Sequence, residues 1–272
     1  MENGTDVIEN CENYGEININ AEDTGWIDVA GISRIRYGTI SGCINKGNIT
    51  ILGSHSGGSG SHVVVAGVDT AENTYIDNCV NYGDINVNIK VKGNGNLKAI
   101  NGISYEAYQI NKCINYGNIT SNYNDTEGYS NSDISGISKR TPKIVNCANY
   151  GDLTGGAVAG ITGGYMSSNK KVYNCYNVGK LTGNGTIVGI GYQSDVENSY
   201  NSREAKWPIY ASGNAKNCHA LTGNETAEEK QALLEALNAN REEDAETPWS
   251  EWKIDPNINN GYPVFSWQQA EE

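Results

Sequence analysis

The segment Cys79-Val-Asn-Tyr-Gly-Asp-Ile85 recurs along this chain and decides its fold. Six gapless copies follow the pattern Cys-x-Asn-x-Gly-x-Ile/Leu, and they begin at Cys11, Cys43, Cys79, Cys113, Cys147 and Cys175. A seventh copy replaces the cysteine by Ser199, and Cys218 marks the remnant of an eighth. Successive copies lie 24 to 36 residues apart. Self-similarity at this period indicates a solenoid-type repeat protein.

Each unit contains three short apolar stretches, which in the sixth unit are 172–175, 180–182 and 186–190. They are separated by Asn and Gly and are too short for helices. Three strands in about 24 residues are typical of one coil of a parallel β-helix, where each strand pairs with its copy in the next coil. We therefore predict an all-β, right-handed parallel β-helix of about seven coils over residues 1–223, the hand following that of parallel crossovers.

Stacked coils place equivalent residues in columns about 4.8 Å apart. The cysteine column (Cys11, Cys43, Cys79, Cys113, Cys147, Cys175) is predicted to point inward as small, soft side chains. The asparagine column (Asn13, Asn45, Asn81, Asn115, Asn149, Asn177) is predicted to form a structural amide ladder along a turn. The tyrosines that follow it should form a partly exposed stack. The glycine two positions after each asparagine is predicted to adopt a positive φ.

We interpret the seven cysteines as packing residues rather than as disulfides or metal ligands. Their number is odd and their positions are equivalent. Stacked Cβ atoms about 4.8 Å apart exceed the roughly 3.5–4.5 Å of a disulfide. Ser199 in the same column suits a position that needs only a small side chain. The chain has no Cys-x-x-Cys motif and its histidines form no ligand pairs, so no metal site and no cofactor is predicted.

The first four units are longer than the fifth and sixth. From the cysteine to the following Gly-Ile or Gly-Val they take 20 to 24 residues, whereas the next two take 13 and 14. The extra residues fall at one corner, after the second strand, so we expect them to stack into a ridge along the N-terminal half. Apolar alternation in 85–91 favours β-hairpin arms in this ridge.

Two interpretations of the ridge stay open: tolerated loop growth, and a contact surface for glycan or protein. In the second, Trp26, Tyr123 and Tyr129 are candidate stacking residues, with Asp125 and Glu127 as polar partners. The Asp/Asn-rich loop that holds these acids could chelate calcium, although it lacks the EF-hand spacing and the nonapeptide calcium repeat.

Residues 224–272 change the period, and we interpret them as a C-terminal cap. The sequence Thr226-Ala-Glu-Glu229 is a capping box, and leucines at helical spacing follow it, which predicts a helix from about Ala227 to Asn238. Three of the five tryptophans lie beyond: Trp249, Trp252 and Trp267. Because a solenoid end exposes strand edges and core, we expect Leu and Trp side chains to plug the last coil. An aromatic ligand site is the alternative.

The net charge is 19 − 32 = −13, and residues 224–272 carry −9 of it. An acidic chain repels phosphate, so we expect no nucleic-acid partner. No apolar run approaches the length of a membrane span, which predicts no membrane insertion by this segment. The first repeat follows Met1 by ten residues without a signal peptide. We therefore expect a monomeric segment of a longer parent chain.

Two segments, Gly151-Asp-Leu-Thr-Gly155 and Gly179-Lys-Leu-Thr-Gly183, each follow an Asn-Cys-x-Asn segment and resemble the GLUG-type repeats of bacterial surface proteins. The ending Asn259-Asn-Gly-Tyr-Pro263 before Trp267 is similar to the tails of such regions in gut Firmicutes. The resemblance covers nearly the whole chain, although the first four units lack the final glycine. It implies a secreted or wall-attached parent with other domains, and the peptidase activity of some parents lies outside the repeats.

The leading hypothesis is a non-catalytic, extracellular or cell-surface module: a rigid spacer or adhesin segment that binds host or dietary glycan or protein. The alternative is a polysaccharide lyase or glycoside hydrolase on a β-helix scaffold, which needs clustered acids with Arg or Lys on one face. Asp84 and Asp152 occupy equivalent corners, but their column also holds Glu16, Asn48, Asn118 and Lys180. In the basic pair Lys139-Arg140 the one arginine is interpreted as a solvated side chain, and no catalytic residue is assigned.

Overall fold

The chain winds into coils, and strands at the same position in successive coils pair in parallel. The computed structural model describes residues 6–55, 62–91, 97–121, 124–125, 133–163, 170–210, 212–242 and 246–270. Coils 1 to 6 are numbered by their repeat cysteines, coil 7 contains Ser199 and coil 8 contains Cys218. The predicted all-β parallel β-helix is confirmed. Its right-handed sense stays a prediction.

Four sheets run along the stack, named first to fourth in the order in which the chain visits them. The first sheet comprises Asp6–Glu9, Gly38–Ser41, Tyr75–Asp77, Gln109–Asn111, Lys143–Val145, Lys170–Tyr173, Ser194–Glu197 and Ala215–Lys216. The second sheet comprises Glu12–Asn13, Ile44–Asn45, Val80–Asn81, Ile114–Asn115, Ala148–Asn149, Tyr176–Asn177, Tyr200–Asn201 and His219–Ala220.

The third and fourth sheets follow the second in each coil. The third sheet comprises Ile17–Thr24, Ile49–His55, Ile85–Val91, Ile119–Ser121, Leu153–Gly155 and Leu181–Gly183, with Asn124–Asp125 added beside Ile85–Val91. The fourth sheet comprises Trp26–Ala30, His62–Ala66, Leu97–Asn101, Asp133–Ser135, Ala157–Ala159 and Ile187–Val188. A further parallel pair, Asp69–Glu72 with Ser104–Glu106, precedes the return to the first sheet.

A left-handed residue separates the first sheet from the second in every coil. The residue before the cysteine position has φ between 48° and 61° in all eight coils: Asn10, Gly42, Asn78, Lys112, Asn146, Asn174, Asn198 and Asn217. Asparagine tolerates this conformation better than most L-residues because its short side chain can bond locally. The corner divides the first predicted stretch into two strands, so a coil has four principal strands rather than three.

The glycines after the ladder asparagines meet a different requirement from the one we predicted. Gly47, Gly83 and Gly117 do not have positive φ, so that prediction is wrong. A Cβ added to any of the three would lie 2.0–2.1 Å from the carbonyl oxygen of the equivalent glycine in the preceding coil. The column is glycine because the coils approach too closely there to admit a side chain.

Two apolar cores run through the stack, one on each side of the asparagine column. One lies between the third and fourth sheets, and the other joins the first sheet, the cysteines and the Gly-Ile/Val corners. Between them, a Cβ added to Gly67 would lie 2.4 Å from Cγ of Asn81. Each amide is therefore packed across the coil against a glycine backbone, inside the solenoid and not on its surface.

The insertions in the first three coils lengthen the third and fourth sheets. Ile85–Val91 pairs in parallel with Ile49–His55 over seven residues, whereas Leu153–Gly155 in coil 5 has only three. In the described chain the sole antiparallel pair is Trp252–Lys253 with Val264–Phe265. The prediction of hairpin arms is therefore wrong for the described residues, because each lengthened strand pairs with its copy in the next coil.

The C-terminal residues form the predicted helix, which spans Ala227–Ala239 with the Thr226/Glu229 capping box in place. A single helical turn, Asn259–Gly261, and the antiparallel pair follow it. Leu233, Leu237, Trp252 and Phe265 pack against the outer face of the second sheet, mainly in coils 4 to 7 (Ile114, Ala148, Tyr176, Tyr200). The prediction that they plug the last coil is wrong, because this segment covers a flank of the solenoid.

Candidate functional site

The asparagine column forms a continuous hydrogen-bonded ladder. Each Nδ2 donates to Oδ1 of the next asparagine at 2.7–2.8 Å, from Asn13 through Asn201. The same Nδ2 donates to the carbonyl oxygen of the glycine two residues later, at 2.9–3.1 Å in coils 1 to 6. Both side-chain N–H donors of each ladder asparagine are thus used. The ladder asparagines from Asn45 to Asn201 are completely buried. The predicted ladder is confirmed, and it couples every coil to its neighbours.

The cysteine column is a second ladder, in which sulfur accepts backbone hydrogen bonds. The N–H of each cysteine in coils 1 to 5 donates to Sγ of the next at 3.4 Å, and the N–H of Cys175 donates to Ser199 Oγ at 3.0 Å. All seven cysteines are free thiols. Burial raises the pKa of the Cys113 and Cys147 thiols. Because the thiolate is the reactive form, these sulfurs act as packing and acceptor groups.

A third set of amides holds the C-terminal segment. Asn146, Asn174 and Asn198 occupy the left-handed corner, and successive side chains bond one another at 2.8 Å. Asn146 Oδ1 accepts the N–H of Ser250 at 2.7 Å, and Asn174 Oδ1 accepts Nε1–H of Trp252 at 2.7 Å. We did not predict this column from the sequence. Its signal was the recurrence of Asn immediately before the cysteine position.

The tyrosines after the ladder asparagines stack as predicted in the middle coils. Tyr82 and Tyr116 have ring centroids 4.9 Å apart, and Tyr116 and Tyr150 have centroids 4.8 Å apart. The stack is exposed at Tyr82 and meets the C-terminal segment at Tyr150, whose hydroxyl accepts a hydrogen bond from Gln268. These rings have a structural role, because the C-terminal segment packs against the same column.

Trp26 is an exposed residue of the ridge. Its side chain is 64% exposed, and its ring centroid lies 3.9 Å from that of His62, its partner in coil 2. Asp125 lies in the strand Asn124–Asp125, whose partner is the end of Ile85–Val91. The other candidates, Tyr123, Glu127 and Tyr129, lie outside the described residues. Whether the five candidates form one surface therefore stays a prediction.

A buried lysine begins the first-sheet strand of coil 6. Lys170 is completely buried, and its Nζ donates to the carbonyl oxygens of Gly163 at 2.8 Å and Lys139 at 3.4 Å. Burial lowers the pKa of Lys170 to about 7, and the neighbouring Lys139 cation contributes in the same direction. Lys139 is also buried and lies 2.7 Å from Asp133. We overlooked Lys170 in the sequence, although alternation places it on the same strand face as buried Val172.

Arg140, the other member of the basic pair, also has specific partners. Its guanidinium lies 3.1 Å from Glu106 and donates to the hydroxyl of Tyr105 at 2.8 Å. Burial is the main factor that raises the pKa of Glu106. This cluster couples coils 3 and 4, because Tyr105 and Arg140 come from successive turns of the chain.

An open groove of about 740 Å³ follows the third sheet at its C-terminal end. Two acids and three bases line it: Asp152, Glu204, Lys180, Arg203 and Lys206. Asp152 Oδ1 accepts the N–H of Lys180 at 2.8 Å, which repeats the bond from Asn118 N–H to Asp84 in earlier coils. The corner carboxylates therefore have a structural partner in the backbone of the next coil.

In the ranges that the structure describes, no group of three or more His, Cys, Asp or Glu side chains is arranged to hold a metal ion. None of the helices in the described chain combines the length and apolar character needed to cross a membrane. Comparisons of this chain with protein-family models, curated proteins and solved structures find no match.

Proposed function

We propose that this chain is a rigid, non-catalytic module of a bacterial cell-surface protein of the GLUG-repeat type, acting as a spacer or adhesin segment. The observation that carries the proposal is the pair of uninterrupted ladders. Side-chain amides link coils 1 to 7 inside a parallel stack, and so do the cysteine sulfurs together with the Ser199 hydroxyl. Each link contributes about 1 kcal/mol, and a coil cannot bend away from its neighbour without breaking several at once.

The adhesin form of the proposal places ligand contact on the ridge, at Trp26. An exposed aromatic face binds sugar rings or apolar protein groups. Such a rigid side chain loses little conformational entropy when it binds. His62 contacts the ring from the next coil, and the lengthened sheets hold both residues on paired strands instead of a loop. The ligand class is a glycan or a protein surface outside the cell.

A glycan and host-protein array tests this form with three proteins: wild type, Trp26→Ala and Tyr37→Ala. Tyr37 is a matched control because it is 66% exposed, close to the 64% of Trp26, and lies after the fourth sheet, away from the ridge. We expect binding that Trp26→Ala loses and Tyr37→Ala retains. Equal loss in both variants, or no binding on a broad array, removes the adhesin form and leaves the spacer.

The second candidate, a polysaccharide lyase or glycoside hydrolase, is favoured by the groove that brings Asp152 and Glu204 near Lys180, Arg203 and Lys206. Bases of this kind bind the carboxylates of uronate polymers, and acids transfer protons. Incubation with uronate polysaccharides, followed by chain-length analysis, distinguishes the two candidates. Cleavage that Glu204→Gln abolishes would replace the spacer proposal, and an unchanged polymer supports it.

A further inference from the structure

Coil 7 has an arginine where the earlier coils have the glycine two positions after the ladder asparagine. Arg203 follows Asn201 by two residues, and its carbonyl oxygen accepts the Asn201 side-chain amide at 2.6 Å, as the glycine carbonyls do in coils 1 to 6. A Cβ added to the equivalent Gly179 would lie 2.0 Å from the carbonyl oxygen of Gly151. An arginine can therefore occupy this column only where its coil moves away from the preceding coil.

The backbone hydrogen bonds show that coil 7 leaves the stack at Arg203 and returns at Trp207. In coils 2 to 6 the N–H of the glycine donates to the carbonyl oxygen of the preceding ladder asparagine at 3.2–3.4 Å, whereas the N–H of Arg203 makes no such bond in the described chain. Contact resumes where the N–H of Trp207 donates to the carbonyl oxygen of Ile187 at 3.2 Å. The path from Gly179 to Val188 in coil 6 is nine residues long, whereas the path from Arg203 to Trp207, the partner of Val188, is four. Coil 7 therefore has no third-sheet strand.

This shorter path leaves a backbone donor of the third sheet without a partner. In coils 1 to 5 the N–H of the residue that begins each third-sheet strand donates to the next coil at 2.8–2.9 Å, as Leu153 does to the carbonyl oxygen of Lys180. The equivalent N–H in coil 6, that of Leu181, has no acceptor in the described chain. Leu181 lines the open groove of about 740 Å³. The edge lies within the described chain, because coils 7 and 8 follow it.

The residue just before each third-sheet strand changes from an acceptor to a cation at the same place. In coils 2 to 5 its side chain accepts the backbone N–H of the equivalent residue in the next coil at 2.7–2.9 Å. These acceptors are Asn48, Asp84, Asn118 and Asp152. In coil 6 the position is Lys180, whose ammonium group has three donors and no acceptor. Lys180 therefore ends this column of hydrogen bonds and adds a positive charge to the groove wall.

The charges around the groove favour an anion. Lys180, Arg203 and Lys206 are exposed, and none of the three forms an ion pair within the ranges that the structure describes. Arg203 Nε donates to the carbonyl oxygen of Val178 at 2.5 Å, which positions the guanidinium. The whole chain carries −13, so a groove wall with three bases and two acids is a local exception. A cleft with an excess of one sign of charge attracts ligands of the opposite sign.

We propose that this groove binds an anionic sugar residue of an acidic polysaccharide without cleaving it. A carboxylate or sulfate group would accept hydrogen bonds from Lys180, Arg203 and the N–H of Leu181, and bonds between charged partners are the strong ones. Asp152 and Glu204 also line the groove. They can accept hydrogen bonds from sugar hydroxyls, whereas an acidic peptide would meet them as like charges. The volume falls within the range of about 300–1,000 Å³ that is usual for ligand sites.

Two further points define the proposal. Hydrolysis of a glycosidic bond uses a pair of carboxyl groups, and Asp152 already accepts the backbone N–H of Lys180 at 2.8 Å. Binding is therefore favoured over cleavage. The proposal shares with the adhesin form of the proposed function only the class of ligand, a glycan, and it does not depend on Trp26.

Isothermal titration calorimetry with an oligogalacturonate and its methyl ester tests the proposal, because the ester removes the negative charge and keeps the sugar. We expect the acid form to bind at one site per chain, with an affinity that falls as salt is added. The ester should bind about tenfold more weakly or not at all, since it loses at least one charge-assisted hydrogen bond. A sulfated oligosaccharide of the same length shows whether carboxylate or sulfate is the preferred group. Hexaglutamate, which represents an acidic peptide, should bind more weakly than the oligogalacturonate.

Lys180→Asn is the decisive variant, because asparagine occupies the same column in coils 2 and 4 and suits the fold. It should weaken binding of the oligogalacturonate about tenfold. Lys171→Gln is the matched control: it removes the same charge from an exposed lysine in the first-sheet strand of the same coil, and it should bind as wild type does. Thermal melts confirm that each variant folds.

Trp26→Ala should also bind the oligogalacturonate as wild type does, so a failure of the groove proposal can be distinguished from a failure of the adhesin form at the ridge. Chain-length analysis of the oligogalacturonate after incubation should show no shortening. The proposal is overturned by equal binding of the acid and the ester, by equal binding of hexaglutamate, or by no binding. An unchanged affinity in Lys180→Asn, a loss of binding in Trp26→Ala, or a shortened product also overturns it.

Discussion

Coils 1 to 3 and coils 4 to 7 are built from one unit but are stabilised on different sides. In the N-terminal coils the third and fourth sheets are long, and their apolar faces form the ridge core. In the C-terminal coils the third-sheet strands shorten to three residues, and the C-terminal segment covers the outer face of the second sheet. Tyr82 is 39% exposed on that face, whereas Tyr176 is completely buried. The internal ladders are common to both halves, so the difference lies in which outer surface supplies additional burial.

The largest effect on stability is expected at the glycine column, where successive coils in both halves stack most closely. Gly117→Ala places a Cβ 2.0 Å from the carbonyl oxygen of Gly83, and backbone must move to admit it. We expect a loss of about 4 kcal/mol or more in the free energy of unfolding, measured by chemical denaturation. Gly15→Ala is the matched control, because at the free end its Cβ meets only Asn13 Oδ1 at 3.5 Å. Similar losses in both variants would contradict the stacking argument.

The second-largest effect distinguishes the C-terminal coils from the N-terminal coils. Trp252 is buried against Tyr176, Tyr200 and Phe265, and its Nε1–H donates to Asn174. Trp252→Ala should cost about 3 kcal/mol, and hydrogen exchange should rise in coils 5 to 7 more than in coils 1 to 3. Exposed Trp26→Ala should change stability by no more than about 0.5 kcal/mol. A uniform loss of hydrogen-exchange protection along the stack would show that the C-terminal segment does not stabilise coils 5 to 7 selectively.

A smaller effect tests the amide ladder itself. Asn149→Ala removes the acceptor of Asn115 Nδ2 and the donor to Asn177 Oδ1 in the buried interior. We expect a loss of about 2 kcal/mol in unfolding free energy, since buried partners are left unsatisfied. Asn13→Ala, at the partly exposed end of the ladder, should cost less than half as much. Equal costs at the two positions would mean that burial does not strengthen the ladder.

The smallest effect concerns Lys170, which lies in coil 6 of the C-terminal half. Its pKa is lowered to about 7 in the folded chain, so the unfolded state binds more protons between pH 7 and its usual pKa near 10.4. Stability from this group is therefore full above the unfolded pKa and is lost as pH falls through about 7. Unfolding free energy should rise by about 1 kcal/mol from pH 7 to pH 8. Lys170→Met should lack this rise, and an identical pH profile in the variant would exclude the mechanism.

Several features were predictable because each follows from the spacing of residues within a short stretch of sequence. The cysteine and asparagine columns, the tyrosine stack and the capped helix all follow from local spacing. The positive-φ residue was misplaced because both Gly and Asn punctuate the unit, and sequence spacing does not show which one turns the chain. The candidate ridge residues were selected by residue type alone. Of these, the structure gives side-chain contacts for Trp26 and shows that His62 supports it.

The sequence by itself determined the repeat, the parallel stacking of equivalent residues and the existence of a separate C-terminal segment, because each is written in local periodicity. Only the tertiary structure decided where that segment packs, why the unit needs its glycines, and which lysine is buried. Those outcomes depend on distances between residues far apart in the chain, such as the 2.7 Å bond from Trp252 to Asn174. The repeat determines how each coil pairs with the next, whereas the packing of the C-terminal segment on the second sheet depends on contacts between residues far apart in the chain.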